Sequence, residues 1–249
     1  MSTRGTLSIA VGLVVALAVW KLIVVVGGYP AFILPPPETV GARLLDALRA
    51  GTIQPHLVAT LQEIALGFAV GGGLALVVGY VLARSPFVER LLSPYIVAAQ
   101  ATPILALAPV LYLWFGPGLL GKVLICALIV FFPIAVGTMV GVRSVDAGLI
   151  ELGRSLRATR GQILTTLEVP AALPSILGGM RVGVTLAVVG AIVSEWAGAS
   201  RGLGVLVNLA RQSLFDIPLM FATLVTIALV GISLYVLVVL AERRLVGAR

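Results

Sequence analysis

The sequence predicts an all-α integral membrane protein with six transmembrane helices, on three observations. The chain of 249 residues is 60% hydrophobic and 11% charged, with a mean hydropathy of +1.15, whereas soluble domains carry about 25% charged residues. It has too little polar surface to cover a soluble globule. Its apolar runs reach the ~20 residues that a helix needs to cross ~30 Å of hydrocarbon. Between the fourth and fifth runs lies one long polar, Arg-bearing segment, residues 146–174, too polar to cross lipid and too short to be a domain.

Composition also excludes several classes. One Cys and one His rule out a disulfide framework and a zinc site built on Cys or His pairs, so Cys126, inside an apolar run, reads as a buried free thiol. The formal net charge of +7 comes without a basic run or interleaved aromatics, which argues against a nucleic-acid partner. Orientation in the bilayer accounts for the excess better.

The first span is predicted over 6–26. A cleaved signal would have a shorter apolar region and a small-x-small site, whereas this run continues through Lys21 into Val24, Val25 and Val26. Lys21 lies near its far end, where the stem reaches the headgroups. Pro30, Pro35, Pro36 and Pro37 stop the helix, and 38–50 reads as an amphipathic surface helix on Val40, Leu44, Leu45 and Leu48.

The second span, 57–83, carries Glu63 at its boundary, as either a pathway carboxylate or an interfacial one favoured by the helix dipole. Gly67 and Gly71 form a small-x-x-x-small pattern for close helix approach. After a polar turn at 84–90, the third span, 93–115, contains Gln100, Thr102, Pro103 and Pro109. Carbonyls freed by proline are tolerated at membrane depth only against protein or a wet cavity. This span is therefore expected to line a pathway, with a packing kink as the alternative.

Residues 116–123 satisfy G-x-x-x-x-G-K, but Val123 stands where a P-loop needs Ser or Thr for magnesium, and no strand precedes it. Nucleotide binding by this chain is not expected. The fourth span covers 119–142 and contains Pro133. The fifth, 177–199, carries Glu195 beside an interfacial Trp196, again as a pathway or an interfacial carboxylate. Residues 202–216 are amphipathic, re-entrant or superficial, and the sixth span is 217–240.

Within 146–174, Leu149, Leu152 and Leu156 recur at i, i+3 and i+7, with Glu151, Arg154, Ser155 and Arg157 on the other face, which predicts a short amphipathic helix. A second is expected around Ile163, Leu164 and Leu167. The leucines should hold the first helix to its own bundle and leave Glu151, Arg154, Arg157 and Arg160 for a partner. Most of the 17 Lys and Arg residues, among them Arg84, Arg90, Arg143, Arg154, Arg157, Arg160, Arg243 and Arg244, fall on the side of this segment. The positive-inside bias makes that side cytoplasmic, with both termini on it.

The spacing Glu151, Leu152, Gly153, three residues, Arg157, nine residues, Leu167, Glu168, Val169, Pro170 resembles the cytoplasmic-loop motif E-A-A-x3-G-x9-I-x-L-P of the permeases of binding-protein-dependent ABC importers. The two alanines are Leu152 and Gly153, and the motif glycine is Arg157, so the sharp turn is expected elsewhere, with Gly161 the candidate. The resemblance extends from about residue 34 to about residue 244. It includes Leu34, Pro35, Pro37 and Val40 for an L-P-x-P-x-x-V entry, the sequence Trp114-Phe115-Gly116, and Gly198, Gly202, Leu203 and Gly204 for G-x-x-x-G-L-G.

It implies a permease subunit in a bacterial inner membrane, not an enzyme, with a cytoplasmic coupling-helix loop between spans four and five. The ATPase-coupling residues would be Glu151, Gly153, Arg154, Ser155, Leu156, Arg157, Ala158, Arg160 and Pro170. Gln100, Thr102, Pro103 and Glu195 would belong to the substrate pathway. The implied partners are two cytoplasmic ATPase subunits, which would hold the ATP and Mg that this chain does not, an extracytoplasmic substrate-binding protein and a second permease copy. Nitrate, sulfonates, taurine and thiamine-precursor pyrimidines are the cargoes of the permeases it resembles, and the scarcity of basic residues inside the spans points to a small heterocycle. Two other classes stay open on the residues alone: a proton-coupled secondary transporter using Glu63 and Glu195, and a membrane scaffold without transport.

Overall fold

Every regular element among the described residues is helical, as the hydropathy pattern requires of a chain that must satisfy its backbone inside lipid. The computed structural model describes residues 3–116 and 118–247, without the side chains of 3–10 and 105. Helix α1 (Thr3–Gly27) ends where Gly28 takes a φ of 62°. Helix α2 (Pro37–Arg49) starts on a proline whose fixed φ suits the first turn. The Lys21 ammonium pairs with the Glu38 carboxylate and joins the two helices, so the predicted snorkelling lysine ends on a partner. That hydrogen bond holds the Glu38 carboxyl below its usual range. Arg43 then pairs with Asp216 at 2.8 Å, and α2 buries Val40 and Ala47 against the bundle.

Three helices make the core: α3 (Gln54–Arg84), α6 (Leu119–Arg143) and α9 (Val169–Trp196). Ile64 and Ala75 of α3 meet Cys126, Val130 and Ile134 of α6 and Ala187, Val188 and Ala191 of α9, and the lone thiol is buried as expected. Small residues let these backbones touch. A Cβ on Gly71 would lie 2.3 Å from the Ala127 carbonyl oxygen, and one on Gly179 would lie 2.5 Å from that of Pro133. Helix α11 (Ile217–Val246) packs outside this trio, its Phe221 ring 6.0 Å from that of Trp20.

The third predicted span is broken. Helices α4 (Pro86–Ala101) and α5 (Ile104–Phe115) meet at a bend of 102° instead of running as one rod over 93–115. Pro103 is the cause: its ring disfavours a helical residue before it, and Thr102 is accordingly extended, with ψ 122°. The fifth span differs the other way. Helix α7 (Ala147–Ser155) stands alone, but α8 (Arg160–Ile163) is no separate second helix. It starts on a Thr159–Gln162 capping box and runs through a π turn (Leu164–Glu168) into α9, giving 37 continuous residues, so the helix that carries the fifth span begins at 160, well ahead of the span expected from 177. The wider π turn comes just before Pro170, whose ring would otherwise meet the carbonyl four residues back.

Among the described residues, four helices are long and apolar enough to cross a membrane, α3, α6, 160–196 and α11, and the bent pair, taken as one span, makes a fifth. The first predicted span, 6–26, corresponds to α1, whose apolar part with described side chains is Val11–Gly27. Charge collects at the two ends. One end holds Arg84–Glu168 (2.9 Å), Arg143–Glu89 (2.6 Å) and Arg181–Glu242 (3.1 Å). The other holds Lys21–Glu38, Arg43–Asp216 and Lys122–Glu63. The side chain of Arg4 and the whole of Arg249, which the sequence assigns to the loop side, lie outside what is described.

Candidate functional site

The polar segment builds one free-standing helix on a short stalk. Asp146 caps α7 by accepting the Gly148 N–H at 2.7 Å. The helix stops at Arg157, which has a φ of 57°. There the Arg157 N–H reaches the Arg154 carbonyl and the Ala158 N–H the Gly153 carbonyl, both at 2.9 Å, the bond pair of a Schellman cap. The sharp turn is therefore made by Arg157 itself, where the motif has glycine. Gly161, expected to supply it, sits inside α8 without a positive φ. A left-handed residue with a Cβ costs about 1–2 kcal/mol, which a fold tolerates at one position. Arg157→Gly should accordingly raise the stability of the purified chain by about 1 kcal/mol, read as a higher midpoint in thermal unfolding. A lower midpoint would mean that the arginine makes contacts worth more than the strain.

The leucines of α7 do not do what their spacing suggested. Leu149, Leu152 and Leu156 are 50%, 56% and 75% exposed, and no residue of α7 is buried. The periodicity marked an apolar face correctly, but its own bundle does not cover that face. Contact with the bundle runs through Gly153, where a Cβ would sit 3.4 Å from Leu167 and 3.6 Å from Ile163. Ser155 donates back to the Glu151 carbonyl at 3.0 Å. Glu151, Arg154, Arg157 and Arg160 form no ion pair among the described residues. Ala158 follows the cap, and Pro170 lies within the long helix, away from the turn.

Of the predicted pathway residues, Gln100, Thr102 and Pro103 come together. They line an open groove of about 660 Å³ at the break between α4 and α5, faced by Ile129, Phe132, Pro133 and Leu186. Glu195 is elsewhere. It is 2% exposed and accepts hydrogen bonds from the Thr60 hydroxyl and the Gly204 N–H, each at 2.5 Å, while Thr60 in turn accepts the Leu203 N–H at 2.8 Å. A Cβ on Gly202 would lie 2.1 Å from the Glu195 carboxyl carbon, so the G-x-x-x-G-L-G turn leaves room for this carboxylate. That pocket ties helix α10 (Leu203–Gln212) to α3 and α9. Glu195 thus does not line the groove in this conformation and is enclosed by protein.

Glu63 is likewise interior, 1% exposed, and pairs with Lys122 at 2.7 Å while accepting the Ser194 hydroxyl at 3.1 Å. Lys122 also approaches the Arg201 carbonyl at 3.4 Å. Sequence reasoning met Lys122 only as the lysine of a rejected phosphate-binding pattern. The signal that could have found it is complementarity: one cation and two carboxylates inside apolar runs must find each other.

The comparisons with known proteins agree with this architecture. Residues 71–247 match the model of the family described as binding-protein-dependent transport system inner membrane component. The riboflavin transport system permease protein of Chloroflexus aurantiacus is 45% identical, over 96% of this chain and 89% of the relative. The formylaminopyrimidine transport permease protein of Halalkalibacterium halodurans is 38% identical, over 87% and 85%. The fold is also that of a chain in inward-facing structures of the MetNI methionine ABC transporter, with a TM-score of 0.60 at 22% identity, covering 79% of this chain and 93% of that one. A broken third span, a Schellman-capped helix that its own bundle leaves bare, and these matches have one reading: the chain belongs to the binding-protein-dependent transport system inner membrane component family.

Proposed function

We propose that α7 is the grip by which a separate cytosolic ATPase drives this permease, with its bare leucines as the apolar part of the contact and Glu151, Arg154, Arg157 and Arg160 as its polar rim. The observation that carries this is the exposure of Leu149, Leu152 and Leu156 on a helix whose apolar face no described residue buries. A short amphipathic helix with an uncovered apolar face fits a groove on a partner, anchored at i, i+3 and i+7. Closure of an ATPase pair would move two such helices and rock two copies of the bundle between outward and inward access. In this reading ATP and Mg belong to the ATPase, Lys122 being committed to Glu63, and a binding protein delivers the cargo at the end that bears α2 and α10. The loop end, rich in arginine, faces the cytosol.

Retention of the neighbouring ATPase by the detergent-solubilised chain tests the grip. Leu152→Glu should abolish retention, and Glu151→Lys should weaken it. Full retention by Leu152→Glu would exclude α7 as the grip.

The cargo proposed is a nitrogen heterocycle. Support comes from the riboflavin and formylaminopyrimidine permeases among the relatives, and from the groove at Gln100 and Thr102, which offers an amide and a hydroxyl but no cation. Proteoliposomes holding the complex and its binding protein should import riboflavin or a formylated pyrimidine and ignore taurine. Uptake of taurine alone would move the cargo to the sulfonate class.

A further inference from the structure

Two concavities of opposite character meet where α3 ends against the polar segment. The first, about 770 Å³, is lined by Tyr80, Arg84, Arg154, Ala158, Arg160 and Ile163. The second, about 540 Å³, runs along the bundle between Leu76, Val77, Leu173, Ile176 and Met180, and Tyr80 lines it as well. Both are of ligand-holding size. In the first, the Arg84 guanidinium lies 2.9 Å from a Glu168 carboxylate oxygen and 5.9 Å from the centre of the Tyr80 ring, while the Tyr80 hydroxyl donates to the other Glu168 oxygen at 3.1 Å. Glu168 is 1% exposed, so it sits behind Arg84 and orients it without filling the cavity. Arg154 and Arg160 have no acidic partner among the described residues. Three cations thus face one carboxylate, and the cavity has an uncompensated positive charge.

We propose that these two concavities together bind one anionic phospholipid, with its phosphate among Arg84, Arg154 and Arg160 and an acyl chain along the groove from Tyr80 to Met180. A basic pocket at the cytosolic end of membrane helices attracts anionic headgroups. A bound acidic side chain or a free phosphate would satisfy the arginines but leave the adjoining apolar groove unused. A lipid uses both. Because Arg154 is on α7 and Arg84 ends α3, the headgroup links the position of α7 to the charge of the inner leaflet. This rests on the reading above that the loop end is cytosolic.

The test is lipid retention by the full chain purified with its ATPase, measured by native mass spectrometry against phosphatidylglycerol and phosphatidylcholine. Wild type should keep phosphatidylglycerol preferentially. The double variant Arg154→Gln/Arg160→Gln, which removes no internal ion pair, should bind it about thirtyfold more weakly. Leu173→Trp, which fills the groove and touches neither α7 nor the arginines, should also lower retention. Equal retention of the two lipids would overturn the proposal. So would displacement of the lipid by millimolar inorganic phosphate with no effect of Leu173→Trp, which would make the cavity a simple anion site. Lipid bound only when the ATPase is absent would also overturn it, and would assign the arginines to an acidic surface of the partner. ATPase retention is scored in the same spectra for Leu173→Trp, which leaves α7 and the arginines intact: loss of lipid with the ATPase retained separates this proposal from the α7 contact, to whose rim Arg154 and Arg160 also belong.

Discussion

Lys122→Met will destabilise the bundle by about 3–5 kcal/mol, and adding Glu63→Gln will recover most of the loss. Glu63 is 1% exposed and its ion pair with Lys122 is 2.7 Å long, so removing the ammonium leaves a carboxylate inside the bundle with only the Ser194 hydroxyl at 3.1 Å for company. Breaking one partner of a buried pair is costly because the other is left uncompensated, whereas neutralising both is often close to harmless. The measurement is unfolding in detergent of wild type, each single variant and the double. If Lys122→Met costs under about 1 kcal/mol and Glu63→Gln restores nothing, the pair is not a buried charge site and the interior position of Glu63 is wrong. The same cycle addresses the secondary-transporter alternative, since a proton path through Glu63 would lose transport in the double variant even where stability returns.

What the sequence made legible here was local. The broken third span was written in Pro103, yet continuous hydropathy over 93–115 hid it: a single proline changes direction without changing polarity. The fifth span is expected from 177, after the polar segment that ends at 174, but a π turn absorbs Pro170 and the helix starts near 160. Periodicity found the face made by Leu149, Leu152 and Leu156 and could not tell that its own bundle leaves it exposed, because cover is set by tertiary packing and not by spacing. Arg157 shows a similar limit. Its place in the motif frame located the turn, while residue preference pointed to Gly161, and the frame prevailed because the cap's hydrogen bonds depend on backbone position. The Glu63–Lys122 pair joins residues 59 apart, and no local pattern announces such a partnership.

The second large effect concerns the α3–α6 contact, where the spacing of Gly67 and Gly71 predicted a close helix approach without naming the partner helix. Gly71→Leu should leave no properly folded chain in the membrane, measured as loss of the monodisperse peak in fluorescence-detected size exclusion. A Cβ at Gly71 would lie 2.3 Å from the Ala127 carbonyl oxygen and 2.7 Å from its Cα, and these are backbone atoms of a core helix, which cannot turn aside as a side chain does. Overpacking in a yielding core costs about 1–3 kcal/mol; here two backbones in contact would have to part, and with them the cluster of Ile64, Ala75, Cys126 and Ile134. Gly73 is the control, two residues along the same helix with nothing within 4 Å of its would-be Cβ. Gly73→Leu should therefore fold normally, and with a residue of better helix propensity it should gain some stability. Equal behaviour of the two variants would mean that α3 and α6 do not approach through Gly71, and that glycine serves α3 only as a flexible residue.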